Sequence, residues 1–283
     1  MSRGRYALIG EPISGSPSPA MHNAAFRACG IDATYELRPT GVGGLAEALG
    51  LLASGRYAGL NVTTPLKTLA ARAVQLDGLA ARAQAVNTLW LDGLRLCGAL
   101  TDIDGVRVPL RASDLPRERD AGLILGAGGA SRAAALALEG LGLTVHVAAR
   151  QQEQAARVID LVMPTRRGLA VALADGGRLA RLLPTLAVLV QATPVGRDGE
   201  EHALAWTLLR AGTLAFEMVY RPARTPFVAA AEAAGATVVF GWQMLLAQGA
   251  ASFALWTARP APLGAMQTAL CEALTVSQDI RAR

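Results

Sequence analysis

Lysine is almost missing from this chain. Of its 27 basic residues one is lysine, Lys67, and all the others are arginine. Surface charge is served equally well by either residue, so the stretch "LNVTTPLKTLA" raises the question of what a guanidinium would fail to do there. Guanidinium stays charged at any working pH, whereas the pKa of a lysine moves readily with its surroundings, which suits chemistry that moves a proton. Cysteine is also scarce. Cys29, Cys97 and Cys271 are odd in number, widely spaced and form no Cys-x-x-Cys pair. That argues against a disulfide framework and against a structural zinc site, so no metal is expected and the three read as small core residues. No apolar run approaches the length of a membrane span, and "MSRGRYALIGEP" turns polar before a signal-peptide core could form. The expected compartment is the cytoplasm, with no membrane partner. Internal repeats and low-complexity segments are absent too.

A net charge of +5 and a pI near 9.6 raise the possibility of nucleic-acid binding. The arginines are scattered among acids and alanines, however, and only "RRG" at 166–168 sets two side by side. No nucleic-acid partner is expected, and an arginine bias from base composition explains the excess. A basic surface also suits anionic small molecules.

What the chain does have is length and alternation. Its 283 residues, 52% apolar and 17% charged, are enough for two core-bearing units or one large α/β domain. "RYALIGEPI" reads as a buried strand, and the segment after "SGSPSP" as a helix with Met21, Ala25 and Ala28 on one face, closed by Gly30. A strand "ATYELRPT", a helix "GLAEALGLLASG" and a strand "YAGLNVT" follow, a β-α-β-α-β order that favours a mainly parallel, helix-covered sheet. After a charged linker near "LPRERD", the run "GLILGAGGASRAAALALEGLG" is strand, glycine turn and helix, with "TVHVAAR" as the next strand. "LAVLVQATPVG" and "TLAFEMVYRP" continue as strands, then helix "FVAAAEAAGA", strand "TVVFG", a long helix from Trp242 and one more helix.

The turn "GAGGAS" stands where a dinucleotide fingerprint must stand, after an apolar strand and opening a helix. Its glycines let backbone N–H groups approach a pyrophosphate at the positive end of the helix dipole; an ordinary glycine-rich turn is the competing reading. The following strand ends in Arg150 with no carboxylate, which favours a 2′-phosphate and hence NADP over NAD, unless Arg150 is only a solvated strand end. Outside this unit lie four polar clusters, "SGSPSP", "NVTTPLK", "AVNTL" and "GALTDIDG", each where an apolar segment ends. Ligand-binding loops of open α/β sheets collect at such places. Taken singly each also reads as a turn or cap, with Ser18 and Thr64 as N-caps before Pro19 and Pro65.

In their order and spacing, "GEPISGSPSPAMHN", "NVTTPLK", "AVNT", "TDIDG", "GAGGAS", "QATPVG", "EMVYRPARTP" and "GWQMLLAQGAASFALW" resemble the shikimate dehydrogenase family, from about Tyr6 to Trp256. The resemblance implies a two-domain α/β fold. Residues 1–104 with 241–283 would form a substrate-binding and catalytic domain with a mainly parallel sheet completed by C-terminal helices, and 105–240 an inserted Rossmann-type NADP-binding domain. It implies NADP-linked interconversion of 3-dehydroshikimate and shikimate. Ser16 and Ser18 match the residues that bind the substrate carboxylate, and Thr63, Asn87 and Gln248 those that hold the ring hydroxyls, with Tyr220 lining the same pocket. Lys67 and Asp102 match the catalytic pair. Gly126, Ala127, Gly128, Gly129 and Ala130 match the phosphate turn, Arg150 the adenosine-phosphate contact, and Thr193, Met218, Gly241 and Met244 motifs that border the nucleotide.

The chemistry fits the residues without the name. Hydride addition to a ketone leaves an alkoxide that needs a proton donor, and the reverse reaction needs a base; an ammonium serves both where burial lowers its pKa toward the working range, while a nearby Asp102 pulls the other way but holds the group in position. Three departures from the family pattern stand out. Ala149-Arg150-Gln151 replaces Asn-Arg followed by Ser or Thr, Gln84 replaces the glycine before Ala85-Val86-Asn87-Thr88, and Glu217 replaces the usual Asp before Met-Val-Tyr. They leave open a divergent member acting on quinate or an aminoshikimate-like compound, or using NAD. A non-catalytic NADP- and metabolite-binding regulator is the alternative from another class. The chain is expected to work as a monomer or homodimer.

Overall fold

The structure is a computed structural model that describes residues 4–162 and 168–275. Arg166 and Arg167 of the paired-arginine stretch lie outside the described residues. The chain divides into two compact units, residues 1–101 with 246–283 and residues 102–245. It passes between them at Thr101–Asp102 and again inside one long helix. No helix among the described residues is long and apolar enough to cross a membrane.

The first unit contains β1 (Gly4–Gly10), α1 (Ser18–Ala28), β2 (Ala33–Pro39), α2 (Leu45–Ala53), β3 (Gly59–Val62), α3 (Lys67–Ala70), β4 (Gln75–Leu76), α4 (Gly78–Ala83), β5 (Thr88–Asp92) and β6 (Arg95–Ala99). The strand order is β2-β1-β3-β5-β6-β4. β1 runs parallel to β2 and β3, and β4 to β6, but β5 is antiparallel to both neighbours, so the sheet is mixed. The antiparallel pair is a hairpin whose two-residue loop, Gly93-Leu94, has Gly93 at φ 60. Glycine at the first central position of such a loop matches the twist of the flanking strands. α1 buries Met21 and Ala25 as expected, but Phe26 completes the face and Ala28 is exposed; Asn23 bonds both the N–H and the C=O of Tyr35 at 2.8 and 2.9 Å. That fixes the helix against β2.

The second unit contains α5 (Asp102–Ala112), β7 (Ala121–Leu125), α6 (Gly129–Gly140), β8 (Thr144–Ala149), α7 (Gln152–Val162), β9 (Ala170–Ala172), α8 (Gly176–Leu182), β10 (Leu186–Gln191), β11 (Leu214–Glu217), α9 (Pro226–Ala233) and β12 (Thr237–Val239). α10 (Gly241–Thr257) carries the chain back, and α11 (Leu263–Leu274) follows. The sheet is parallel throughout in the order β12-β11-β10-β7-β8-β9. Read from the other edge this is the doubly wound 3-2-1-4-5-6 order, which reverses between β7 and β10. Helices cover both faces of such a sheet, so its central strands are buried along their length rather than alternating: β7 and β10 are buried at every residue.

Three local expectations are corrected. α1 opens at Ser18 itself, with Pro17 as the cap and no side-chain cap bond, because the Ser18 hydroxyl is engaged with Ser16 instead. Thr64 and Pro65 form a turn ahead of α3, closed by Leu66 N–H to the Thr63 carbonyl at 2.9 Å, and Thr64 caps nothing. Of the cysteines only Cys271 is buried; Cys29 and Cys97 are half-buried.

Candidate active site

In the first unit, β1 and β3 end where β5 begins, and the antiparallel hairpin returns β6 to the same edge. Four loops therefore open side by side, carrying Ser16 and Ser18 after β1, Thr63 and Lys67 after β3, Asn87 before β5, and Thr101 after β6. The Ser16 and Ser18 hydroxyls are 3.1 Å apart, two donors ready for one anion. Lys67 is half-buried at the start of α3, and its carbonyl accepts the Val86 N–H at 3.1 Å, which holds it against the segment carrying Asn87. Asn87 is buried, and its amide donates to Thr101 Oγ1 at 2.9 Å and Gln248 Oε1 at 3.1 Å.

Behind these residues lies a second set that sequence reasoning missed. Asn61 Nδ2 lies within 3.0–3.1 Å of the Asn87 carbonyl, Thr88 Oγ1 and Ser252 Oγ, while its Oδ1 accepts from the Tyr35 hydroxyl at 2.8 Å. Thr88, Thr101 and Ser252 hydroxyls lie 2.8–3.0 Å from one another. All are buried and neutral, so the low dielectric strengthens each bond and the network fixes the rotamers of Asn87 and Gln248. A signal for Ser252 was available: it sits four residues after Gln248, on the same helix face.

In the second unit, Gly126 follows the last residue of β7 with φ 116. A Cβ there would lie 3.0 Å from the Ala192 carbonyl and from Thr193 Cγ2, so only glycine lets the end of β10 approach. Gly128 has the cap position of α6, with open space where a Cβ would project. Backbone N–H groups of a helix's first turn have no acceptor within the helix, and Ser131 Oγ in that turn is buried without a hydrogen-bond partner. An orphaned hydroxyl, free helix N–H groups and a glycine cradle at the point of strand-order reversal fit a pyrophosphate. Arg150, exposed at the end of β8, lines a hollow with Leu173, Ala174, Glu201, His202, Ala203 and Leu204.

Three further nucleotide candidates, Met218, Gly241 and Met244, and the substrate candidate Tyr220 lie around one loop. Met218 and Tyr220 are half-buried just past β11, and Gly241, at the start of α10, would place a Cβ 2.5 Å from the Val219 carbonyl oxygen. Met244 follows one turn later, buried. Thus Ser16, Ser18, Thr63, Lys67, Asn87 and Gln248 belong to the first unit; Asp102, buried at the start of α5, and Tyr220 belong to the second, together with Gly126–Ala130, Arg150, Thr193, Met218, Gly241 and Met244.

Comparison with known proteins gives the family and the fold. The model of the shikimate dehydrogenase substrate-binding domain matches residues 8–89, and that of the shikimate 5′-dehydrogenase C-terminal domain residues 241–271. The NADP(+) shikimate dehydrogenase of Halobacterium salinarum is 40% identical over 94% of this chain and 97% of its own. The chain belongs to the shikimate dehydrogenase family. Shikimate 5-dehydrogenase of Thermus thermophilus, solved with NADP(H) and shikimate, superposes with a TM-score of 0.86 at 34% identity, covering 96% of this chain and 100% of that one. The Listeria monocytogenes enzyme, solved with shikimate and NAD, gives 0.85 at 27% identity over 94% and 96%.

Two departures from the shikimate dehydrogenase pattern have structural expressions. Gln84, where the family has glycine, takes a left-handed φ of 48 at the end of α4. Glu217, where the family has Asp, is wholly buried, and burial pushes its carboxyl up to about 7, against the pull of the Thr225 hydroxyl and the Val219 and Met218 amides.

Proposed function

We propose that this chain interconverts shikimate and 3-dehydroshikimate with NADP, the first unit holding the substrate and the second the nucleotide. The observation that carries this reading is the single lysine, tied through its carbonyl to Val86 beside the Asn87–Thr101–Gln248 network. Bound NADP supplies the hydride donor and acceptor. Ser16 and Ser18 offer paired hydroxyls to the substrate carboxylate, and Thr63, Asn87 and Gln248 orient the ring hydroxyls through rotamers fixed from behind. Lys67 Nζ gives its proton to the oxygen as the ketone carbon is reduced, and takes it back from the hydroxyl in the oxidative direction. Asp102 assists Lys67 as the other member of the catalytic pair. Gly126, Ala127, Gly128, Gly129 and Ala130 cradle the pyrophosphate, with Ser131 as a further donor. Thr193, Met218, Gly241 and Met244 border the rest of the nucleotide, and Tyr220 lines the substrate side.

Arg150 in its hollow supports NADP, where a guanidinium meets the 2′-phosphate. Glu201 lines the same hollow and favours a ribose 2′-OH, so a measurable activity with NAD accompanies that with NADP. Steady-state assay of shikimate and of quinate, each against NADP and NAD, tests both statements. The expected order has shikimate with NADP first in kcat/KM. Absence of turnover with shikimate under either cofactor overturns the reading, and tight binding of both ligands without hydride transfer converts it to that of a regulator.

A further inference from the structure

Gln191 and Glu217 are register partners at the last positions of β10 and β11, and both are completely buried. Buried polar residues at paired strand ends need a reason, and each here has the same one: it bonds across the loop that follows it. Gln191 Oε1 accepts the Thr193 N–H at 3.0 Å and the Thr193 hydroxyl at 2.9 Å, and its amide donates to the Val195 carbonyl at 2.8 Å. Glu217 spans further. Its Oε1 accepts the Val219 N–H at 2.8 Å and its Oε2 accepts the Thr225 hydroxyl at 2.6 Å. Thr225 is in turn the N-cap of α9, where its Oγ1 accepts the Val228 N–H at 3.2 Å. One carboxylate thus joins the first turn of the 218–225 loop to its last residue and, through it, to the helix beyond.

We propose that Glu217 is a positioning residue for catalysis, a clasp that closes the 218–225 loop and thereby fixes Met218 and Tyr220. The inference rests on the reading that the chain turns over shikimate with NADP. The geometry favours it over a merely structural role for three reasons. Both partners of the carboxylate are donors, so the ionised form satisfies them where an aliphatic residue would strand two buried donors. A carboxyl in the interior is costly once ionised, as burial pushes the group up to about 7, and nothing in β11 itself requires one. The clasped segment is also the one on which Gly241 closes, its hypothetical Cβ lying 3.0 Å from Tyr220 N, so a displaced loop moves the start of α10 with it.

The test compares Thr225→Val, which removes the hydroxyl that Glu217 holds, with Thr225→Ser, which keeps it, and adds Glu217→Gln. Each variant is assayed well below its melting temperature, with kcat and KM for shikimate and the NADP+ dissociation constant by calorimetry. Thr225→Val and Glu217→Gln are expected to lower kcat about tenfold and to raise KM for shikimate and the NADP+ constant several-fold, with faster amide exchange in 218–225. Thr225→Ser is expected within about twofold of the parent. Loss of melting temperature with kcat, KM and NADP+ affinity unchanged overturns the proposal, and so does a Thr225→Ser variant as impaired as Thr225→Val. Should the parent not turn over shikimate, the functional reading fails by itself, while NADP+ affinity and amide exchange still decide whether the clasp holds the loop.

Discussion

The two units build their candidate sites by opposite means. In the first, side chains from β3, β5, the end of β6 and α10 meet in one buried network of amides and hydroxyls, in which Asn61 and Ser252 touch across 191 positions of chain. In the second, the site is mostly backbone: a glycine turn, the N–H groups of one helix and two loops, each clasped by the residue at its root. The difference has a physical origin. A ring of hydroxyls is recognised by directed side-chain bonds, which must come from several elements. A pyrophosphate is a diffuse anion that a row of N–H groups and a helix dipole can hold from a single turn.

The largest expected effect separates the chemistry of the first unit from the binding done by the second. Lys67→Arg keeps the charge but removes the proton that can be given up, so kcat should fall by about 10² to 10⁴-fold while the fold and NADP+ affinity stay as they are. Arg150→Ala should do the reverse, raising the KM for NADP+ while leaving shikimate affinity in place. Normal turnover by Lys67→Arg would break the comparison, since the lone lysine would then be an accident of composition.

The same contrast explains what the sequence disclosed. The glycine turn and its helix were legible because strand, turn and helix are contiguous and each has its own signal in "GLILGAGGASRAAALALEGLG". Lys67 was legible because it has no second. The Asn61, Thr88, Thr101 and Ser252 network was not: each of its residues is ordinary in its own segment, and only the antiparallel β5–β6 return and the arrival of α10 bring them together. The hairpin itself had a signal in "LDGL", but the alternation of strands and helices was followed only through "YAGLNVT" and again from the linker near "LPRERD", so that run received no assignment. Glu217 was noticed as a departure, yet its partner Thr225 lies eight residues on, beyond any local pattern.

Acid and neutral pH should act on the two units in opposite directions. His22 in α1 is fully buried and stacked on Tyr35, and neither ring nitrogen has a hydrogen-bond partner, so burial lowers it from 6.5 to about 3. Its native form stays neutral while the unfolded residue takes a proton below 6.5, so this contribution is complete above pH 6.5 and is lost as pH falls toward 3. Glu217 is raised from 4.5 to about 7, so its contribution is complete below pH 4.5 and is lost as pH rises through 7. Each group imposes a slope of up to ~1.4 kcal/mol per pH unit. Hydrogen exchange resolved by peptide, from pH 4.5 to 7, should show protection of α1 rising with pH and protection of β11 falling. His22→Phe should flatten the first trend and Glu217→Gln the second; equal slopes in parent and variant would refute the assignment.

Two buried serines give a smaller and sharper contrast. Ser252 Oγ lies within 3.0 Å of Asn61, Thr88 and Thr101 side chains, whereas Ser131 Oγ at the glycine turn has no partner. Ser252→Ala leaves buried groups unsatisfied and should destabilise by ~1–3 kcal/mol in urea unfolding, with a rise in KM for shikimate. Ser131→Ala should cost no stability, and instead weaken NADP+ binding if its hydroxyl is a phosphate donor. Equal loss of stability in both would mean that Ser131 is already satisfied in the protein without nucleotide.

The smallest effect concerns two helix ends built alike from different residues. α6 ends with Gly142 N–H to the Glu139 carbonyl and Leu143 N–H to the Leu138 carbonyl, and α4 ends with Gln84 N–H to Ala81 and Ala85 N–H to Ala80. In both, the donor of the first of these bonds is left-handed, Gly142 at φ 85 and Gln84 at φ 48. Glycine enters that region without a steric penalty, while a Cβ crowds the neighbouring carbonyl. The exposed Gln84 has no burial to offset the strain, and a glycine there also loosens the unfolded chain, which takes back part of the gain. Gln84→Gly should therefore stabilise by only ~0.5–1 kcal/mol, and Gly142→Gln should destabilise by ~1 kcal/mol. Gln84 stands two residues before Val86, whose N–H holds the Lys67 carbonyl, so the same variant asks whether the strain at 84 is part of the site. A more stable Gln84→Gly protein with undiminished kcat would show that it is not, and that the first unit tolerates a poorer helix end simply because its network of side chains holds the segment in place.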